Sequence, residues 1–279
     1  MFERMRRGWE LTKKSWGVIR SHPKLTKLPL EGGALALLAV VLICGPGALL
    51  LLLDETAATV AGVVLIAIGA YLASFAVVYF NVALAAAADQ ALHGAEPDLQ
   101  TAHAVARSRI GVIAAWALVS AAVSAFFSLL RDKGGAAGGV GAAVGGAIWS
   151  LVTFLVVPVL AFEGIGPVDA IKRSAHLFRQ RWGQQVTGNV VIGGIAGLVV
   201  VVGAVIAALG VALVTSGSGA GAASGVVVFL LGLILAVAGL VFSGAVRGVF
   251  GVALYRWVAD DQAIGPFTAQ DLDSAARVR

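Results

Sequence analysis

Four histidines, His22, His93, His103 and His176, are the side chains best suited to hold a metal or move a proton near neutral pH. None lies three or four residues from another, so no helical turn offers paired imidazoles to a metal. No serine has glycine two residues away on both sides, which removes the strained turn that exposes a nucleophilic hydroxyl. No Gly-Lys dipeptide occurs, which removes the phosphate-cradling P-loop. A single cysteine, Cys44, allows neither an internal disulfide nor a Cys-based metal site. The expectation is a chain that is no enzyme and carries no cofactor.

What remains is a sparse set of polar groups inside apolar surroundings. Such groups in a membrane span mark ion pathways or proton relays by default. Asn81, Asn189 and Arg247 are the candidates, and Glu163 stands where an apolar run ends. Interhelical hydrogen bonds explain the two asparagines, and Arg247 can snorkel toward headgroups. Gly45-Pro46-Gly47 and Pro158 interrupt apolar runs and are expected to kink helices.

The elements that carry these residues are long and apolar. Hydrophobic residues make up 59% of the 279, charged residues 13%, and mean hydropathy is +0.94. Charge-free runs cover Gly32–Leu53, Thr56–Ala88, Ile110–Leu130, Gly134–Phe162 and the 65 residues from Trp182 to Val246. About 20 apolar residues cross a bilayer as a helix, so the last run holds two crossings, with a turn at Ser216–Ser224. The reading is an all-α polytopic membrane protein of six transmembrane helices. It forms one domain, 1–279: a basic amphipathic segment (1–31), crossings one to four (32–162), a second basic segment (163–186), crossings five and six (187–257) and a tail (258–279).

Orientation follows from the basic residues. With both termini cytoplasmic, 18 of the 20 Lys and Arg fall inside and only Arg131 and Lys133 outside. The net charge of +5 is then topogenic, and nucleic acid is not expected as a partner. The N-terminal segment lacks an apolar core with a small-residue cleavage site, so the first crossing is expected to be retained, in a multi-pass plasma-membrane protein.

Two segments read as basic helices lying in the membrane surface. In one, Phe2, Met5, Trp9, Trp16 and Ile19 form a stripe opposite Arg6, Arg7, Lys13 and Lys14; in the other, Val168, Ile171, Ala175, Phe178 and Trp182 lie opposite Asp169, Lys172, Arg173, His176 and Arg179. Lys13, Lys14, Lys172, Arg173, Arg179 and Arg181 are the candidate contacts to anionic lipid. Thr12–Gly17, Ala106–Gly111 and Phe178–Gly183 look alike, each ahead of an odd-numbered crossing. They suggest a threefold parallel repeat of a basic helix followed by a membrane hairpin.

The segment Pro158-Val159-Leu160-Ala161-Phe162-Glu163-Gly164-Ile165-Gly166-Pro167, followed by Ala170–Ser174 and Trp182-Gly183, resembles an uncharacterised group of prokaryotic six-helix integral membrane proteins, a domain of unknown function. Trp9–Trp16 fits the same pattern. More distantly, the chain is similar to the membrane domain of some glycerophosphodiester phosphodiesterases, without their catalytic domain. The resemblance implies the fold and brings no activity. The functional expectation is a non-catalytic membrane protein that organises lipids or partner proteins; the alternative is a permease or channel for an uncharged or amphiphilic solute.

Overall fold

The computed structural model describes residues 2–53, 55–182, 194–215 and 219–276, and all regular elements among them are helical. Five stretches are long and apolar enough to span a membrane: Pro23–Leu50, Thr56–Leu92, Ile110–Lys133, Gly138–Phe162 and Ser224–Ala259. Between 6% and 28% of each spanning window is buried inside the molecule. That much apolar exposure is consistent with a polytopic membrane protein, whose solvent on these faces is hydrocarbon. Of the expected turn at Ser216–Ser224, residues 219–224 are helical and 216–218 lie outside the described residues.

The first hairpin begins with helix α1 (Phe2–Ser21) and a 3₁₀ turn, Pro23–Thr26. It continues through α2 (Lys27–Ala39), a π-helical turn (Val40–Cys44) and α3 (Gly45–Leu50). Pro46 causes the π turn: it has no N–H, and its ring crowds the carbonyl four residues back. The helix widens ahead of it, and the Gly45 N–H bonds to the Val40 carbonyl five residues back. The expected kink is therefore a local expansion of the helix. Gly47 then allows α3 to press on α4 (Thr56–Leu92): a Cβ there would lie 2.9 Å from the Gly62 carbonyl oxygen.

The short helix α5 (Leu99–Ser108) leads into α6 (Ile110–Lys133), α7 (Gly135–Val152) and α8 (Val156–Phe162). Pro158 separates the last two. In the intervening turn the Val156 N–H bonds to the Thr153 carbonyl instead of to Val152. The freed Val152 carbonyl accepts at 2.5 Å from the hydroxyl of Ser174, a fully buried serine on α9 (Pro167–Trp182). A proline kink in one helix is thus satisfied by a side chain of another.

The last hairpin, α10 (Gly194–Thr215) and α11 (Gly219–Ala259), closes through glycine. Gly203 lies against Gly232 and Gly210 against Gly225, each where a Cβ would overlap the opposite backbone. Small residues let helices approach closely where hydrophobicity supplies no drive. Within α10, Val202–Thr215 forms a shorter apolar stretch than the five long ones.

The core sits at the end of the hairpins where the short helices gather. Val82 to Ala88 of α4 are seven consecutive buried residues, so α4 is enclosed on all sides there. Val249, Phe250 and Val252–Tyr255 of α11, Leu155, Val156 and Pro158–Ala161 around α8, and Leu25 and Leu28 complete it. The chain then turns back through Ile264 and Phe267, both buried, to α12 (Ala269–Ala276), whose Leu272 is fully buried.

Candidate functional site

The charged groups at this enclosed end form cross-helix pairs. Arg256, near the end of α11, donates from Nε and Nη2 to the two oxygens of Asp89 on α4, at 2.8 and 2.9 Å. Its Nη1 donates to Asp260 at 2.8 Å, and its guanidinium carbon stands 4.5 Å from the Phe162 ring centroid. Next to it, the Tyr255 hydroxyl donates to Glu163 at 2.9 Å, and the same carboxylate accepts from Arg173 Nε at 2.9 and 3.2 Å. Consecutive residues Phe162-Glu163 at the end of α8 therefore meet consecutive residues Tyr255-Arg256 on α11, with Asp89 and Arg173 closing the ends.

The turn after Glu163 is built for a close approach. Gly164 has φ +64°, and the Arg109 guanidinium occupies the space its Cβ would take. Arg109 Nε is buried and without a hydrogen-bond partner among the described residues.

Two smaller clusters flank this network. Lys14 on α1 is paired with Asp271 on α12. Asp271 also accepts from the Thr268 amide at 2.8 Å and the Thr268 hydroxyl at 2.6 Å, closing the start of α12. Burial pushes the Asp271 carboxyl up, but Lys14 and the two Thr268 groups outweigh it and hold it below the ordinary value. In the second cluster His103 stacks on Tyr79 with centroids 5.9 Å apart, its Nδ1 3.5 Å from the Tyr79 hydroxyl and its Nε2 3.9 Å from Glu31. No group of three metal-ligating side chains occurs among the described residues.

The expected contacts with anionic lipid divide into two sorts. Lys13 is exposed, with Nζ 5.4 Å above the Trp9 ring, and Lys172 and Arg179 are exposed on α9, Lys172 with its Nζ 3.7 Å from the exposed Asp169. Lys14 and Arg173 instead turn inward to carboxylates. Arg181 belongs to α9, but its side chain lies outside what is described, and Asn189 is outside the described residues altogether. Asn81 is half-buried on α4 and Arg247 is exposed on α11, and no hydrogen bond joins them among the described residues.

Helix α1 corrects one expectation: Lys13 lies on the same exposed side as Trp9 and Trp16, not opposite them, and Ile19 of the expected stripe is buried with Leu11, Ser15 and Val18. On α9 Val168 is exposed, and Ala170, Ser174 and Leu177 are buried. Sequence reasoning missed Asp89, Tyr255, Arg256 and Asp271. The available signal was that Asp89 ends the charge-free run of α4, as Glu163 ends that of α8.

Residues 60–265, about three-quarters of the chain, match the model of a family described as Family of unknown function (DUF6159). The chain belongs to that family. The match takes in α4 almost whole, the α8–α9 junction with Glu163, and Tyr255-Arg256, so the paired network lies inside the family region. No curated protein and no solved structure matches the chain, and the distant likeness to phosphodiesterase membrane domains finds no match among them.

Proposed function

We propose that this member of the family is a non-catalytic, multi-pass plasma-membrane protein that organises anionic lipid, and through it partner proteins, at its basic end. It crosses the bilayer six times, α10 supplying the fifth crossing, with both termini cytoplasmic. The observation that carries the reading is the mutual neutralisation of Asp89 with Arg256, Glu163 with Arg173, and Asp271 with Lys14. A solute pathway needs polar groups left open to its cargo; here these groups are spent on one another, around an apolar core.

The exposed bases Lys13, Lys172 and Arg179 supply the lipid contact, each contributing about 1 kcal/mol beside an anionic surface. A threefold parallel repeat underlies the arrangement. What supports it is the order of elements, in which α1, α5 and α9 each precede a helical hairpin. Leu11, Ser15 and Val18 are buried at the same spacing as Ala170, Ser174 and Leu177, and Ala102 and Ala106 of α5 repeat the first two positions.

Proteoliposomes test the function. With the full chain in mixed zwitterionic and phosphatidylglycerol vesicles, energy transfer from the protein to labelled phosphatidylglycerol should exceed that to labelled phosphatidylcholine. Entrapped small solutes should leak no faster than from protein-free vesicles. Saturable solute flux with no lipid preference would favour the permease instead, and turnover of labelled phospholipid would favour an enzyme.

A further inference from the structure

We propose that the outward face of α1 binds the phosphate headgroup of an anionic phospholipid through Trp9, Lys13, Trp16 and Arg20, while the adjacent Lys14 serves as a clasp for the C-terminal segment. The proposal rests on the lipid-organising reading and makes it specific to one site.

Trp9, Lys13, Trp16 and Arg20 follow one another at spacings of four, three and four, which places them in a single stripe along the helix. All four are exposed, Trp9 by 42% and Trp16 by 41%, on the side opposite the buried Leu11, Ser15 and Val18. The Trp16 ring lies 5.0 Å from that of Phe242, within the spanning stretch of α11, so the stripe borders hydrocarbon at the edge of the membrane. Tryptophan favours that boundary because its apolar body and its N–H suit opposite sides of it. Neither Lys13 nor Arg20 has a carboxylate partner among the described residues. An ammonium and a guanidinium, each flanked by an indole at the headgroup level, offer a phosphodiester two charge-assisted donors and its acyl chains two flat apolar contacts.

Lys14 differs although it neighbours Lys13. Its partner Asp271 is fixed by Thr268, and Phe267 and Leu272 beside it are buried, so this lysine holds α12 down. Helix α9 also divides its tandem bases, with Lys172 outward beside Asp169, 3.7 Å away, and Arg173 turned to Glu163 on another element. A tandem of bases on a surface helix thus does two jobs, because successive residues point about 100° apart.

The test titrates full-length protein in detergent with phosphatidylglycerol or phosphatidylcholine and reads affinity by native mass spectrometry, with melting temperature alongside. Wild type should prefer phosphatidylglycerol. Lys13→Gln should lower that affinity about fivefold and Lys13→Gln with Arg20→Gln further, with melting in phosphatidylcholine unchanged. Lys14→Gln and Asp271→Asn should lower the melting temperature and leave phosphatidylglycerol affinity within about twofold. Preserved affinity in the Lys13/Arg20 double variant, or an equal loss in the Lys14 variant, would overturn the site while leaving the lipid-organising reading intact. A wild type with no preference for phosphatidylglycerol would overturn that reading and the site with it.

Discussion

Asp89 and Arg256 stand 167 residues apart and meet in a two-pronged ion pair, the ends of α4 and α11 locked carboxylate to guanidinium. Their side chains keep only 19% and 24% of their exposure. Two nearly parallel N–H···O bonds fix geometry as well as charge, which lysine could not do. Asp89→Asn should therefore cost about 2–3 kcal/mol, a little under the loss for a fully enclosed pair. Changing Asp89 and Arg256 together to Asn and Met should recover part of it. Thermal unfolding of the four proteins in one detergent checks this, and strictly additive losses would show that the two residues are uncoupled.

The two buried serines should respond in opposite ways. Ser174→Ala strips the Val152 carbonyl of its donor beside the Pro158 kink and should cost about 1–3 kcal/mol. The Ser15 hydroxyl is equally buried but has no partner among the described residues, so Ser15→Ala should be neutral or stabilising. Melting temperatures of the two variants decide it; destabilisation of similar size in both would contradict the assignment.

Glycine holds the last hairpin together by absence. Gly210→Ile would drive a side chain into the Phe229 backbone and within 2.8 Å of the Gly225 carbonyl oxygen. Helix separation should cost about 3 kcal/mol or more and raise proteolysis near the hairpin tip. Gly146→Leu on α7, where no neighbouring atom lies within 4 Å of an added Cβ, should be tolerated. Equal sensitivity at both positions would argue against close packing of α10 on α11.

The docking of α12 should depend on acidity. The Asp271 carboxyl is held below its ordinary value of 3.8 in the folded chain, so its contribution is fully present above that value. It is lost as pH falls through the depressed value and the carboxylate takes up a proton. Protection from hydrogen exchange across 264–276, taken relative to the unstructured chain at the same pH, should fall at about pH 3 compared with pH 7. Asp271→Asn should show the low protection at both, because amide and protonated acid alike lack the charge that holds Lys14.

The helices were legible because hydrocarbon tolerates no stray charge: Asp89, Glu163 and Arg131 end their apolar runs and mark the helix ends within a few residues. The pairings were not legible. Nothing local in Asp89 points to Arg256, since their meeting depends on how α4 and α11 cross. The inner faces of the short helices were not legible either. Trp9, Trp16 and Val168, read as facing the membrane surface, are exposed, but the opposite sides bury Ser15 and Ser174 alongside Leu11, Ile19 and Leu177, a mixed set with no hydrophobic stripe to announce it.

All of this depends on the short basic helices and both chain ends lying at the cytoplasmic face, with the hairpin tips beyond the bilayer. Single cysteines at Ser218 and Ser274, in a chain with Cys44 replaced by alanine, measure that directly with a membrane-impermeant thiol reagent on intact cells. The account predicts rapid labelling at position 218 from outside and labelling at position 274 only after permeabilisation. Protection at 218 together with labelling at 274 on intact cells would contradict it.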